Sequence, residues 1–187
     1  AVLGCVFGWF VFTNVLSEDS KQIVVSNASQ IQQSTDYHHA TTILDQNFFD
    51  EAFQRATDFG DRPESRVWIL PHHLVARELV AGFLEAQKKV KNPPTIVVIG
   101  PDHLTRSTSS LITTDAPWRT PYGFMEPHRE YIEEIIAGGK VKLDREIFNE
   151  EHSVSALLPL VHKAFPDAKI VPLLIQDTVD PEVRYQI

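Results

Sequence analysis

The chain has 187 residues, 43% hydrophobic and 22% charged, with a formal net charge of −8 and a pI near 5.4. That suffices for one domain with a sizeable core but not for two ordinary ones. Without a cluster of Lys or Arg to neutralise phosphates, the sequence excludes nucleic-acid binding. Its single cysteine, Cys5, excludes an internal disulfide and a cysteine-based zinc site.

Residues 1–16 are almost entirely apolar and carry no charge. A full membrane span needs roughly 20 such residues. The stretch is therefore expected to be the end of a transmembrane anchor or of an uncleaved signal segment. Val2-Leu3-Gly4-Cys5 has the look of a lipidation box, but the apolar run continues past Cys5, where a lipoprotein would turn polar. Residues 17–42, rich in Ser, Gln, Asn and Thr, read as a polar linker that holds a domain off the membrane, on its extracytoplasmic side. The doublet His38-His39 falls in this stretch and is expected to be solvated. The chain starts without Met and stops at Ile187 just after a predicted strand, which leads us to expect a piece of a longer fold.

From residue 43 the pattern is α/β. Phe48, Phe49, Ala52, Phe53, Ala56 and Phe59 follow helical spacing up to Gly60. Val67-Trp68-Ile69-Leu70 is a predicted strand. Val75, Leu79, Val80, Phe83 and Leu84 mark a helix ended by Asn92-Pro93-Pro94. Residues 95–99 form an apolar, β-branched run, as in a strand covered on both faces. Strand, helix, strand predicts a βαβ unit with parallel strands. Short strands are expected near 111–114 and 141–143, with an ordered loop over 115–123 and a helix over Tyr131–Ile136. Ser153 is a candidate N-cap for a helical face running to Phe165, with a kink or an irregular start expected from Pro159. Lys169–Ile175 is a strand that Pro172 should place at a sheet edge or make locally irregular. Together these give a three-layer α/β domain, a mostly parallel sheet with helices on both faces.

Histidines close the first two predicted strands: Leu70-Pro71-His72-His73 and Ile99-Gly100-Pro101-Asp102-His103. Parallel sheets bind ligands at the carboxyl ends of their strands. Two imidazoles there make half of a metal site, with Asp102 as an orienting or weakly ligating carboxylate. An extended backbone would point His73 away from His72. His152, between Glu151 and Ser153 at a helix start, is the candidate for proton transfer. The other reading of these histidines is plain hydrogen bonding to loops and caps. No G-x-S-x-G elbow accompanies Ser153, which argues against a serine hydrolase.

These blocks, with Trp118-Arg119-Thr120-Pro121-Tyr122-Gly123, Glu151-His152-Ser153 and Ile170-Val171-Pro172-Leu173-Leu174, occur in one order and resemble the Memo family, called AmmeMemoRadiSam system protein B in bacteria. The resemblance covers about residues 67–175. It implies a fold like that of class III extradiol, non-haem iron dioxygenases, with residues 43–187 as the N-terminal part of the domain. It implies His72 and His103 as metal ligands, with His152 near the same cleft. The family's Asp/His pair and Cys would come from a later segment, and with them the third ligand. The implied cofactor is a divalent metal, iron(II) ahead of copper or zinc. The implied activity is metal-dependent redox chemistry. Alternatives are a binding module for a peptide or small anion, and a metal-dependent hydrolase. The family name also points to a functional link with AMMECR-type and radical SAM proteins.

Overall fold

The structure is a computed structural model and describes residues 37–89, 93–107 and 109–176. The expected anchor over 1–16 and most of the expected linker lie outside them. No helix among the described residues is long and apolar enough to cross a membrane.

The architecture is α/β, with helices and two sheets in a three-layer arrangement. The smaller sheet has the order β1-β4-β5, formed by His39–Ala40, Trp118–Thr120 and Gly123–Met125. The larger has the order β2-β7-β3-β6, formed by Thr95–Asp102, Lys169–Gln176, Leu111–Thr113 and Lys142–Leu143. Both are mixed rather than mostly parallel. β1 pairs with β4, β2 with β7 and β3 with β6 in parallel, while β3–β7 and β4–β5 are antiparallel. Domain order begins before residue 43: His39 is 1% exposed and pairs opposite Trp118, so the end of the expected linker is a strand of the domain.

Helix α1 (Gln46–Gln54) starts at Asp45, whose side chain accepts the Asn47 amide. It buries Phe49 and Ala52, and it ends five residues before the expected Phe59. The chain there turns to run along α2 (Arg77–Lys88): the Thr57 amide donates to the Glu78 carbonyl, and a side chain at Gly82 would overlap the Thr57 backbone. α2 buries Val80, Ala81 and Leu84. α3 (Arg129–Ala137) contributes Ile132 and packs on β7. The single helix expected through Phe165 is two, α4 (His152–Ser155) and α5 (Leu158–Ala164), with Pro159 in the first turn of α5, where its missing N–H costs nothing. Trp118, Phe49, Phe148, Phe165 and Leu84 are among the largest fully buried side chains of the core.

Two expectations fail in the larger sheet, and a third holds only in its alternative form. Residues 67–70 are not a strand, so the βαβ unit does not form: the parallel neighbour of β2 is β7. Trp68 and Leu70 do pack on the core, but Val67 and Ile69 are 80% and 96% exposed. Side chains hold the segment instead of a ladder, with Trp68 Nε1 donating to the Ser65 carbonyl and Gln87 Oε1 accepting the Ser65 amide. Second, β2 buries Ile96 and Val98 on one face but leaves Val97 and Ile99 more than half exposed on the other. Third, Pro172 sits in a central strand. The ladder to β3 stops at Thr113 opposite Leu173, one residue short of Pro172, so the absent N–H falls beyond its end. Thr113 Oγ1 then donates to the Pro172 carbonyl at 2.7 Å.

Candidate metal centre

The site is assembled at the carboxyl end of β2. Gly100 carries no side chain, and a Cβ there would overlap Ser153 Oγ and Cβ. Glycine thus lets α4 sit directly on the strand. Ser153 Oγ fastens it by donating to the Pro101 carbonyl at 3.0 Å. The helix start therefore lies beside His103, the first residue after β2, and the His103 and His152 rings stack at 4.7 Å with 19° between planes.

Glu151, not Ser153, is the N-cap. Its fully buried carboxylate accepts the Ser153 amide, the His103 amide and His103 Nδ1, each at 2.8 Å. Burial works against its charge, but the hydrogen bonds from His103 and from the Ser153 amide outweigh burial and hold the carboxyl below its usual range. An ionised carboxylate only accepts, so it fixes a proton on His103 Nδ1 and leaves Nε2 for the cleft. Asp102 is occupied elsewhere: it is buried and accepts the amides of Leu104 and Ser107 at 3.2 Å, shaping the loop instead of orienting an imidazole.

His72 and His73 arrive from the opposite side. They lie on the entry to a 3-10 turn, Leu74–Ala76, that leads into α2, and not past a strand as expected. The His72 ring nevertheless reaches within 5.0 Å of His103 and 5.4 Å of His152, centroid to centroid. His72 and His103 thus meet as the sequence reading required, by a different backbone route. Burial first, then the facing imidazoles of His73, His103 and His152, hold the His72 pKa below its usual value. Its Nε2 is buried and has no hydrogen-bond partner. An orphaned nitrogen of this kind demands an explanation, and a neutral imidazole with a free lone pair is a metal ligand.

His73 was expected to point away, but its ring lies 4.5 Å from that of His72 and 6.2 Å from that of His152. Alternation of side chains holds only for a continuing strand. Pro71 before the doublet, and the helical spacing that resumes at Leu74, are the sequence features that mark a turn here. One nitrogen from each of His72, His73 and His152 falls within a mutual 4.8 Å, and so does one ligand atom from each of His103, Glu151 and His152. The residues therefore fit a divalent ion.

The remaining motifs are structural. His39 is buried against Trp118 and Phe148, its Nδ1 on Asn149 Oδ1 and its Nε2 on Thr114 Oγ1, both at 2.8 Å. Thr120 Oγ1 pairs with buried His162 Nδ1 at 2.7 Å, and Tyr122 donates to Asp50 Oδ1 at 2.8 Å, so the Trp118–Gly123 block braces the core. A groove of about 500 Å³ along Trp68, Val97 and Ile99 includes none of the site histidines.

A family profile described as Memo-like protein matches residues 34–186. Among curated relatives, a MEMO1 family protein of Caldivirga maquilingensis is 33% identical over 101 residues, 53% of this chain and 36% of that protein. One of Pyrobaculum aerophilum is 31% identical over 110 residues, 57% of this chain and 39% of that protein. One of Thermus thermophilus is 32% identical over 137 residues, 68% of this chain and 40% of that protein. The chain thus spans about two fifths of the length of the relatives it matches. With residues 34–186 matched by that profile, the chain belongs to the Memo family.

Proposed function

We propose that the histidine cleft holds a divalent metal ion, iron(II) ahead of copper or zinc, and that the protein serves metal-dependent redox chemistry on a small molecule or peptide. The observation that carries this reading is the buried, unpartnered Nε2 of His72 facing three further imidazoles. Imidazoles with few carboxylates suit iron, copper and zinc and disfavour magnesium or calcium. A bound iron(II) with open positions supplies a centre at which dioxygen and a substrate meet.

The chain's own residues do the rest. Glu151 holds His103 in one tautomer and one orientation, so that its Nε2 is ready to take or return a proton at the cleft. Gly100 and Ser153 keep α4, and with it His152, in register with His103. A zinc hydrolase in the same cleft is the second reading, because Nε2 of His103 would serve equally as base toward water.

The test loads the 187-residue chain anaerobically with iron(II), copper(II) or zinc(II) and then exposes the iron form to nitric oxide, a stand-in for dioxygen. The redox reading expects iron(II) to bind and the nitric oxide to produce a new paramagnetic signal that His72→Ala loses. Binding of zinc alone overturns it in favour of hydrolysis. Binding of no ion leaves a module for a peptide or small anion.

A further inference from the structure

We infer that the larger sheet is one strand short, and that the gap between residues 67–70 and β2 receives an extended apolar strand. Its source is the part of the Memo domain that the curated relatives carry and this chain does not match. The inference does not depend on the metal reading. Burial alternates with a two-residue period on both sides of the gap. Trp68 and Leu70 pack on the core, while Val67 and Ile69 are exposed. Ile96 and Val98 are buried, while Val97 and Ile99 are exposed. That is the pattern of two strands of one sheet, yet the two do not pair. β2 has β7 on one edge, and among the described residues no strand pairs with its other edge or with residues 67–70. The groove of about 500 Å³ lies between them, lined by Ser65, Val67 and Trp68 on one side and by Thr95, Val97 and Ile99 on the other. The segments start together at this groove and end together, since the rings of His72 and His103 just beyond them are 5.0 Å apart. They run in one direction with space between, as the outer two of three strands would.

The walls state the chemistry of the occupant. A sheet edge that faces water is normally guarded by charge or proline, and Ile96 to Gly100 carry neither. The open edge is a template for another strand. A strand seated there stands about 4.8 Å from each neighbour. Its inward side chains meet the core beside Trp68 and Ile96, and its outward ones lie among Val67, Ile69, Val97 and Ile99. Apolar neighbours on both faces call for an uncharged, β-branched run of about four or five residues. The β2 of a second copy does not fit, because its other edge already carries β7, which would collide with residues 67–70. The occupant needs both edges free. The chain spans about two fifths of the length of its relatives, so the family domain has further polypeptide to supply such a strand.

The experiment titrates the 187-residue chain with short overlapping peptides that tile the part of the Thermus thermophilus relative outside the 137 aligned residues. Tryptophan emission reports binding, because Trp68 lines the groove while Trp118 is fully buried. Isotope-labelled peptide reports strand pairing by its infrared amide band. Sedimentation reads the oligomeric state, and circular dichroism checks the fold of each variant. The inference expects at least one peptide with an uncharged β-branched run to bind saturably at one per chain, with its amide band in the β region. The emission change should be lost in Trp68→Phe. Affinity should fall about tenfold or more in the double variant Ile69→Lys, Ile99→Lys. Both residues are exposed, and the pair Val67→Lys, Val97→Lys repeats the test if that variant does not fold. No saturable binding by any peptide, or binding that the lysines leave unchanged, overturns the inference. A parent that sediments as a dimer and a double variant that sediments as a monomer would put a second copy in the groove and overturn it as well.

Discussion

The chain contains the dipeptide His-His twice, and the two doublets have opposite fates. At 38–39 the second ring is swallowed by the core, with both nitrogens satisfied and aromatic rings on two sides. At 72–73 both rings face a cleft, and one nitrogen is buried with nothing to bind. What separates them is not the local sequence but the supply of partners. Asn149 and Thr114 complete His39, so the ring is a structural element. Among the described residues, the rings closest to His72 are three other imidazoles, which offer lone pairs rather than completion, and an ion is what such a cluster suits.

The largest expected effect breaks the first doublet. His39→Ala removes a fully buried ring and strands its partners on Thr114 and Asn149, which should destabilise the domain by about 3 kcal/mol. Denaturant unfolding reads this, and metal affinity of the folded fraction should not change.

A pH scan sharpens the same point. Burial lowers the His39 pKa from the usual 6.5 to about 4. Between these values the unfolded chain binds the proton and the folded one does not, so stability rises with pH across that window. The His39 contribution is complete above the unfolded value and is lost as pH falls toward about 4. The loss amounts to roughly 3 kcal/mol at most. His39→Gln should flatten this part of the stability–pH curve, and an unchanged slope would show that other groups cause it.

Gly100→Ala tests how the second doublet finds its partners. The added methyl must displace Ser153, costing about 1–3 kcal/mol. It should also weaken metal binding by moving His152 away from His72. Loss of stability alone, with metal affinity intact, would show that the position of α4 does not matter to the site. Smallest is His38→Ala. The ring is exposed and meets Phe124 edge-on, and the change should stay within about 0.5 kcal/mol by the same unfolding measurement.

Much of this was legible in sequence because it depends on local pattern. The helical spacings around Phe49, Leu84 and Ile132 and the β-branched run at 95–99 all produce the expected elements. Convergence of His72, His103 and His152 was legible too, through the family's ordered blocks. The failures share a cause: each depends on which segment lies beside which. Val67–Leu70 has a strand's composition, yet no described segment pairs with it. Trp118–Thr120 and Gly123–Met125 are strands inside what reads as a loop, because their partners are each other and His39–Ala40. Pro172 escapes the edge only because β3 stops one residue short. In the site, the departure of His73 from strand alternation and the capture of His103 by Glu151 both follow from tertiary placement that a one-dimensional period does not encode.

The most direct measurement is an anaerobic iron(II) titration by calorimetry of the 187-residue chain and of His72→Ala, with circular dichroism on both. Saturable uptake near one ion per chain in the parent, and none in a normally folded His72→Ala, is the predicted result. An ion held equally well without the His72 ring, or no saturable uptake by the parent, would contradict it.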